Sequence, residues 1–433
     1  MKADVTKRER RIDRAQNLVI LLLTLSALAI FAHLPLFGPL SDQSLIALAQ
    51  ERERSVNAHP DAADTAPALV FPVRMVYTNR FARLGADAIT TLSDEFERAG
   101  TFLGEAAGSA GDAQPVDEAA FLNALRGEGL YFDFTAALPS EILSELLGVS
   151  VPESGLSDVR RMLLSLEGAD AAVLYVQDGA GHSYRFSTAV SRTALVDFLA
   201  SRSGESADFA FLLGDDFAQL SPYTLVLGDP VPRSTLNAAP LGGEETLLRR
   251  AEFNAHTENR FTEASGTVIV REGSSALYLR PDGTVSYQGG AAEPGSIYHV
   301  PAAGADGPTL AEAASAAQRL VSVLLQDLLG DASVYLSGVS ARDGGAEITF
   351  DLMADGTPIR FSDGAPAVSV TVEDRSVTAF TCRARSYTRS ENAALLLPFA
   401  QAAAIARVWD GAELIVAYVD TGAGTVEPVW IAE

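Results

Sequence analysis

The side chains with the most obvious capacity for chemistry in this 433-residue chain are its five histidines and its many carboxylates. His33 falls in an uncharged apolar run and His59 in a polar stretch, while His182, His256 and His299 are widely separated. A structural or catalytic zinc needs three or four ligands at defined spacing, and no pair here has it. A Ser-His-Asp site would have to be assembled from distant segments, because no GxSxG elbow is present; HExxH and the phosphate-cradling GxxxxGKS/T are missing too. These histidines are expected in exposed loops. The acidic pairs Asp94-Glu95 and Asp215-Asp216 could serve glycoside hydrolysis only at the right separation. Neighbours on a strand point to opposite faces, and on a helix they diverge by about 100°, so neither pair makes a natural dyad. Glu205, Asp208, Asp215, Asp216 and Asp229 lack the spacing of a calcium loop. The single cysteine, Cys382, can form neither an intrachain disulfide nor a thiolate metal site, and its alternating surroundings place it on a strand. No cofactor, metal or catalytic residue is expected.

The elements that would carry any site begin with the N-terminus. Residues 1–16 hold six basic side chains against three acidic ones, a net of +3, within a chain whose total is -24. Residues 17–34, NLVILLLTLSALAIFAHL, carry no formal charge. At about 1.5 Å per residue they reach about 27 Å, close to the thickness of a bilayer core. The basic flank stays cytoplasmic by the positive-inside rule, which puts the bulk of the chain outside the membrane. A cleaved signal peptide would have a shorter apolar stretch and a small-x-small site; the best cut, after Ala32, has Ile30 three positions back. The sequence therefore predicts a cytoplasmic tail (1–16), a transmembrane anchor helix (17–38) and a linker (39–68). Ser26, Ala27 and Ala29 on the anchor are small enough to let a second helix approach. The strongly acidic remainder would be repelled by phosphate backbones, so no nucleic acid is expected as a partner.

From Leu69 onward, strand-like and helix-like runs alternate. Residues 69–77 read as a strand, 86–103 as a helix, 130–134 as a strand and 140–147 as a helix opened by Pro139. Asp158–Leu166 has helical spacing. Residues 171–177 and 184–189 read as a hairpin, and Ser191 caps a helix to Ala200. Tyr131, Phe132 and Phe134 are assigned to strand packing rather than to a ligand shelf. The stretch 229–265, with Pro230, Pro232, Pro240 and Gly242-Gly243, reads as a hinge region between an α+β domain at 69–228 and a second at 266–433. A further division near residue 309 stays open. In the second part, Pro281-Asp282-Gly283-Thr284 between two alternating runs marks a turn. A long helix follows at 310–329, then antiparallel strands, a helix at 397–408 and a closing hairpin. Trp409 and Trp430 are both expected inside one C-terminal core. The fold class is α+β, with helices packed on one face of antiparallel sheets.

The run Gly283-Thr284-Val285-Ser286-Tyr287, and the closing Leu414-Ile415-Val416-Ala417-Tyr418 with Glu427-Pro428-Val429-Trp430-Ile431, resemble the YycH/YycI family of regulators. The basic tail, single anchor and exported α+β chain fit that resemblance. Its members are membrane-anchored extracytoplasmic proteins of Gram-positive bacteria that act on the sensor histidine kinase WalK (YycG). The closing phrase also resembles PepSY-like modules. The resemblance implies a non-catalytic regulator whose partners are a WalK-like sensor kinase and a second anchored regulator, at the cell membrane. The alternative is a module that binds cell-wall polymer or peptide and restrains a peptidase.

Overall fold

The computed structural model describes residues 69–149, 156–227, 233–304, 307–383 and 385–433. The expected tail, anchor and linker, with Ser26, Ala27 and Ala29, lie outside the described residues. Among those described, no helix is long and apolar enough to cross a membrane.

The first half comprises β1 (Pro72–Thr78), β2 (Arg83–Thr90), α1 (Asp94–Gly108), β3 (Gln114–Val116), α2 (Glu118–Arg126), β4 (Gly129–Pro139), α3 (Ser140–Leu147), β5 (Asp158–Ser165), β6 (Ala171–Gln177), β7 (Ser183–Ser191), α4 (Arg192–Ala200), β8 (Glu205–Phe209) and β9 (Leu225–Leu227). Its strands make one antiparallel sheet in the order β3-β7-β6-β5-β4-β1-β2-β8-β9. Two expectations change here. The run 86–103 is not one helix: Ile89 and Thr90 are β-branched and continue a strand paired to Val73 and Pro72. The helix begins only at Asp94, where the Ser93 side chain accepts from the Phe96 amide. Asp158–Leu166 is a strand rather than a helix. It pairs with β4 on one side and β6 on the other. Its apolar run faces both layers, with Met162 and Leu164 in one core and Leu163 in the other. A short run that is apolar on both faces cannot be told from a helix by periodicity.

The second half comprises β10 (Arg233–Pro240), α5 (Glu244–Arg250), β11 (Arg260–Thr262), β12 (Val268–Glu272), β13 (Ser275–Leu279), β14 (Val285–Gln288), α6 (Leu310–Leu325), β15 (Ala332–Arg342), β16 (Gly345–Ala354), β17 (Thr357–Phe361), β18 (Val368–Glu373), β19 (Ser376–Cys382), β20 (Arg385–Ala394), α7 (Phe399–Ala406), β21 (Leu414–Asp420), β22 (Thr425–Val426) and β23 (Pro428–Ala432). A sheet runs β11-β12-β13-β14-β19-β18-β16-β17-β21-β23, with β15 added against β16; only β17 and β21 pair in parallel. The stretch expected as a hinge contains β10, which pairs with β20 and β22 in a separate three-stranded sheet. The polar strand β20 had no apolar alternation to announce it. Helix α6 starts with a capping box, Thr309 with Glu312, and leaves helical geometry at Gln326, short of the expected Leu329.

One continuous core joins α1, α3, α4 and α6 to the inner faces of both large sheets. It includes Phe96, Phe132, Ile142, Leu195, Leu320, Phe350 and Phe380. Helix α2 covers the opposite face of the nine-stranded sheet, where Phe121 and Leu125 meet Tyr131, Leu163, Tyr175 and Phe209. The α+β class holds, but helices cover both faces of this sheet rather than one. Tyr131, Phe132 and Phe134 are buried, and Cys382 is a buried small residue on β19.

Candidate functional site

On the α2 side of the nine-stranded sheet, one transverse row is polar. Arg74 on β1 stands opposite Asp133 on β4, Asp133 opposite Arg161 on β5, and Arg161 opposite Gln177 on β6. Directly paired residues of antiparallel strands share a face, so register alone lines up alternating charge. The next row, Val76, Tyr131, Leu163 and Tyr175, is apolar core. Asp133 is 1% exposed. It accepts from Arg160 Nε at 2.8 Å and from the Thr135 amide at 2.9 Å, with Arg161 Nε 3.5 Å from its second oxygen. Burial by itself would raise this carboxyl. The guanidiniums of Arg160, Arg161 and Arg74, with the Thr135 amide, outweigh burial and hold it well below the usual carboxylate range.

The row is completed from the far end of the chain. Glu413, just before β21, is hydrogen-bonded by Arg74 and by Arg161 Nη2 at 3.0 Å, and Arg160 Nη2 lies 3.8 Å away. Among the described residues, three guanidiniums thus face two carboxylates in a largely buried seam. Arg161 also donates to Gln177 Oε1 at 3.0 Å and lies 4.2 Å from the Tyr223 ring centroid. Tyr223 accepts from Gln177 Nε2 at 2.8 Å and donates to Glu118 at 3.1 Å. The seam fixes the C-terminal segment on the first sheet. Backbone bonds add to it: the Ser221 amide donates to Ala412, the Gly411 amide to Gln219, each at 2.8 Å. Helix α7 packs Phe399, Ala402, Ala403 and Ala406 on Ala210 and Leu220.

A second buried group sits at the other end of β21. Asp420 accepts from Arg385 Nη1 at 2.6 Å, from the Tyr387 hydroxyl at 2.8 Å and from the Gly422 amide at 2.7 Å. It ties β20 to β21, and Arg385 reaches the Ala238 carbonyl of β10 at 3.2 Å. A hollow of about 260 Å3 opens beside it, but its arginines are engaged, Arg385 with Asp420 and Arg383 with Asp363 at 2.7 Å.

The outer side of the segment so fixed is apolar. Ile405, Val408 and Trp409 recur at helical spacing along α7 and the turn beyond it; Val408 is 76% and Trp409 55% exposed. Leu395, 85% exposed, and Leu397 precede the helix, and Trp430 Nε1 on β23 donates to the Leu397 carbonyl at 2.8 Å. Large exposed apolar residues close together in sequence make this segment a candidate contact surface.

Comparison of the sequence with protein-family models and with curated proteins finds no match. Among solved structures, the crystal structure of YycH from Bacillus subtilis is similar, with a TM-score of 0.51 at 12% sequence identity; the match covers 85% of this chain and 95% of that one. The chain has the fold of YycH. At this identity the likeness concerns the YycH backbone, and the side chains must be read from this structure alone.

The residues singled out in the sequence fall apart in space. His182 Nδ1 lies 2.9 Å from Asp178 Oδ2 on an exposed turn, His256 is exposed, and His299 is half-buried beside α6, where its carbonyl accepts from Arg319. Among the described residues, no group of three or more His, Cys, Asp or Glu is placed to hold a metal ion. Asp208 pairs with Arg83, Asp216 with Arg407, and Glu95 accepts from the Tyr77 hydroxyl. The tryptophans do not share a core. Trp430 packs on Phe399 at 5.8 Å, whereas Trp409 lies past the buried stripe of α7, on a turn that carries it to the surface. Sequence reading missed Arg74, Asp133, Arg161 and Glu413. A usable signal was present: a lone charge inside an apolar strand, as in VRMVY and LYFDF, requires a buried partner.

Proposed function

We propose that this chain is a membrane-anchored, extracytoplasmic, non-catalytic regulator that modulates a WalK-like sensor histidine kinase through protein–protein contacts, together with a second anchored regulator. The observation that carries this reading is the YycH fold over 85% of the chain. The resemblance of the closing strands to the YycH/YycI family supports it, as does the apolar segment 395–409. A regulator of this kind must contact the kinase differently in its two signalling states. A rigid contact surface suits that task, and the Glu413 seam supplies the rigidity. Residues 17–38 would place the chain beside the kinase in the membrane, with Ser26, Ala27 and Ala29 available for helix contact.

The test is in-cell photo-crosslinking from position 408 or 409 of the full chain, with mass spectrometry of the captured proteins. Recovery of a sensor kinase, lost when Val408 and Trp409 are replaced by serine, is the expected result. Recovery of wall enzymes or glycan fragments without any kinase would overturn the reading in favour of a wall-binding module. Replacing residues 17–38 by an unrelated transmembrane helix separates the two contact regions: if signalling is fully restored, Ser26, Ala27 and Ala29 serve only as an anchor.

A further inference from the structure

We draw no further inference here: the strongest candidate, the exposed Arg80-Phe81 tip of the turn between β1 and β2, is an unpartnered surface patch, and nothing in the structure shows what covers it.

Discussion

Glu413→Gln removes one of two carboxylates that face three guanidiniums in a seam where the Glu413 side chain is 10% exposed and that of Arg74 8%. The substitution keeps shape and volume. It removes the acceptor charge that Arg74 and Arg161 share and leaves the partly buried Arg160 and Arg161 closest to the carboxylate of Asp133. Breaking one partner out of a buried ion pair costs about 3–5 kcal/mol, because the remaining charge stays desolvated. For a unit of roughly 370 residues with an unfolding entropy of about 2.1 cal/mol/K per residue, that loss lowers Tm by about 4–6 °C if both sheets melt together. The chain offers a built-in local probe. Its only two tryptophans, Trp409 and Trp430, lie on either side of Glu413 in sequence and report on the C-terminal segment. Urea unfolding followed both by tryptophan fluorescence and by far-ultraviolet circular dichroism therefore separates two outcomes. The expected result is that the fluorescence transition of Glu413→Gln moves to lower urea ahead of the dichroism transition, as the segment detaches first. A midpoint shift worth less than about 1 kcal/mol, with the two probes still coincident, would show that the arginines re-solvate freely and that the seam is not what holds the segment.

Asp133 also sets an acid limb. Its carboxyl is held below the ordinary value of 3.8, so the folded state takes up that proton less readily than the unfolded chain. The resulting stability is complete above about pH 5 and is lost as pH falls through 3.8 toward the folded value; Asp133→Asn should flatten this limb in urea midpoints measured against pH. Gly330→Ala should cost at least about 2 kcal/mol, since Gly330 has φ +69° and a Cβ there would sit 2.3 Å from the Tyr387 carbonyl oxygen; a thermal melt unchanged from the parent would contradict this. Tyr387→Phe removes a donor from the buried Asp420 carboxylate and should cost about 1–3 kcal/mol by chemical unfolding. Trp409→Ser should leave stability within about 0.5 kcal/mol while reducing crosslinking to a partner, because its side chain is mostly solvated.

Local chemistry was a good guide wherever a few adjacent residues decide the outcome. Ser191 caps α4 by accepting from the Ala194 amide, and Pro139 stands at the start of α3. Pro281-Asp282-Gly283-Thr284 turns between β13 and β14, with Asp282 accepting from the Thr284 amide and Gly283 at φ +89°. Local reading failed where pairing across the chain overrides spacing. Asp158–Ser165 is a strand because β4 and β6 flank it, and Arg385–Ala394 is a strand because β10 supplies its partner.

The sequence by itself determined the alternation of short strands and capped helices and the α+β class. Only the tertiary structure decided the seam. Arg74 and Glu413 are 339 residues apart, and Arg161 and Glu413 252. Their meeting depends on strand register and on where β21 returns to the first sheet. A window of neighbouring residues encodes periodicity and turn propensity, but which distant strands lie side by side is fixed by the burial of both sheets in one core.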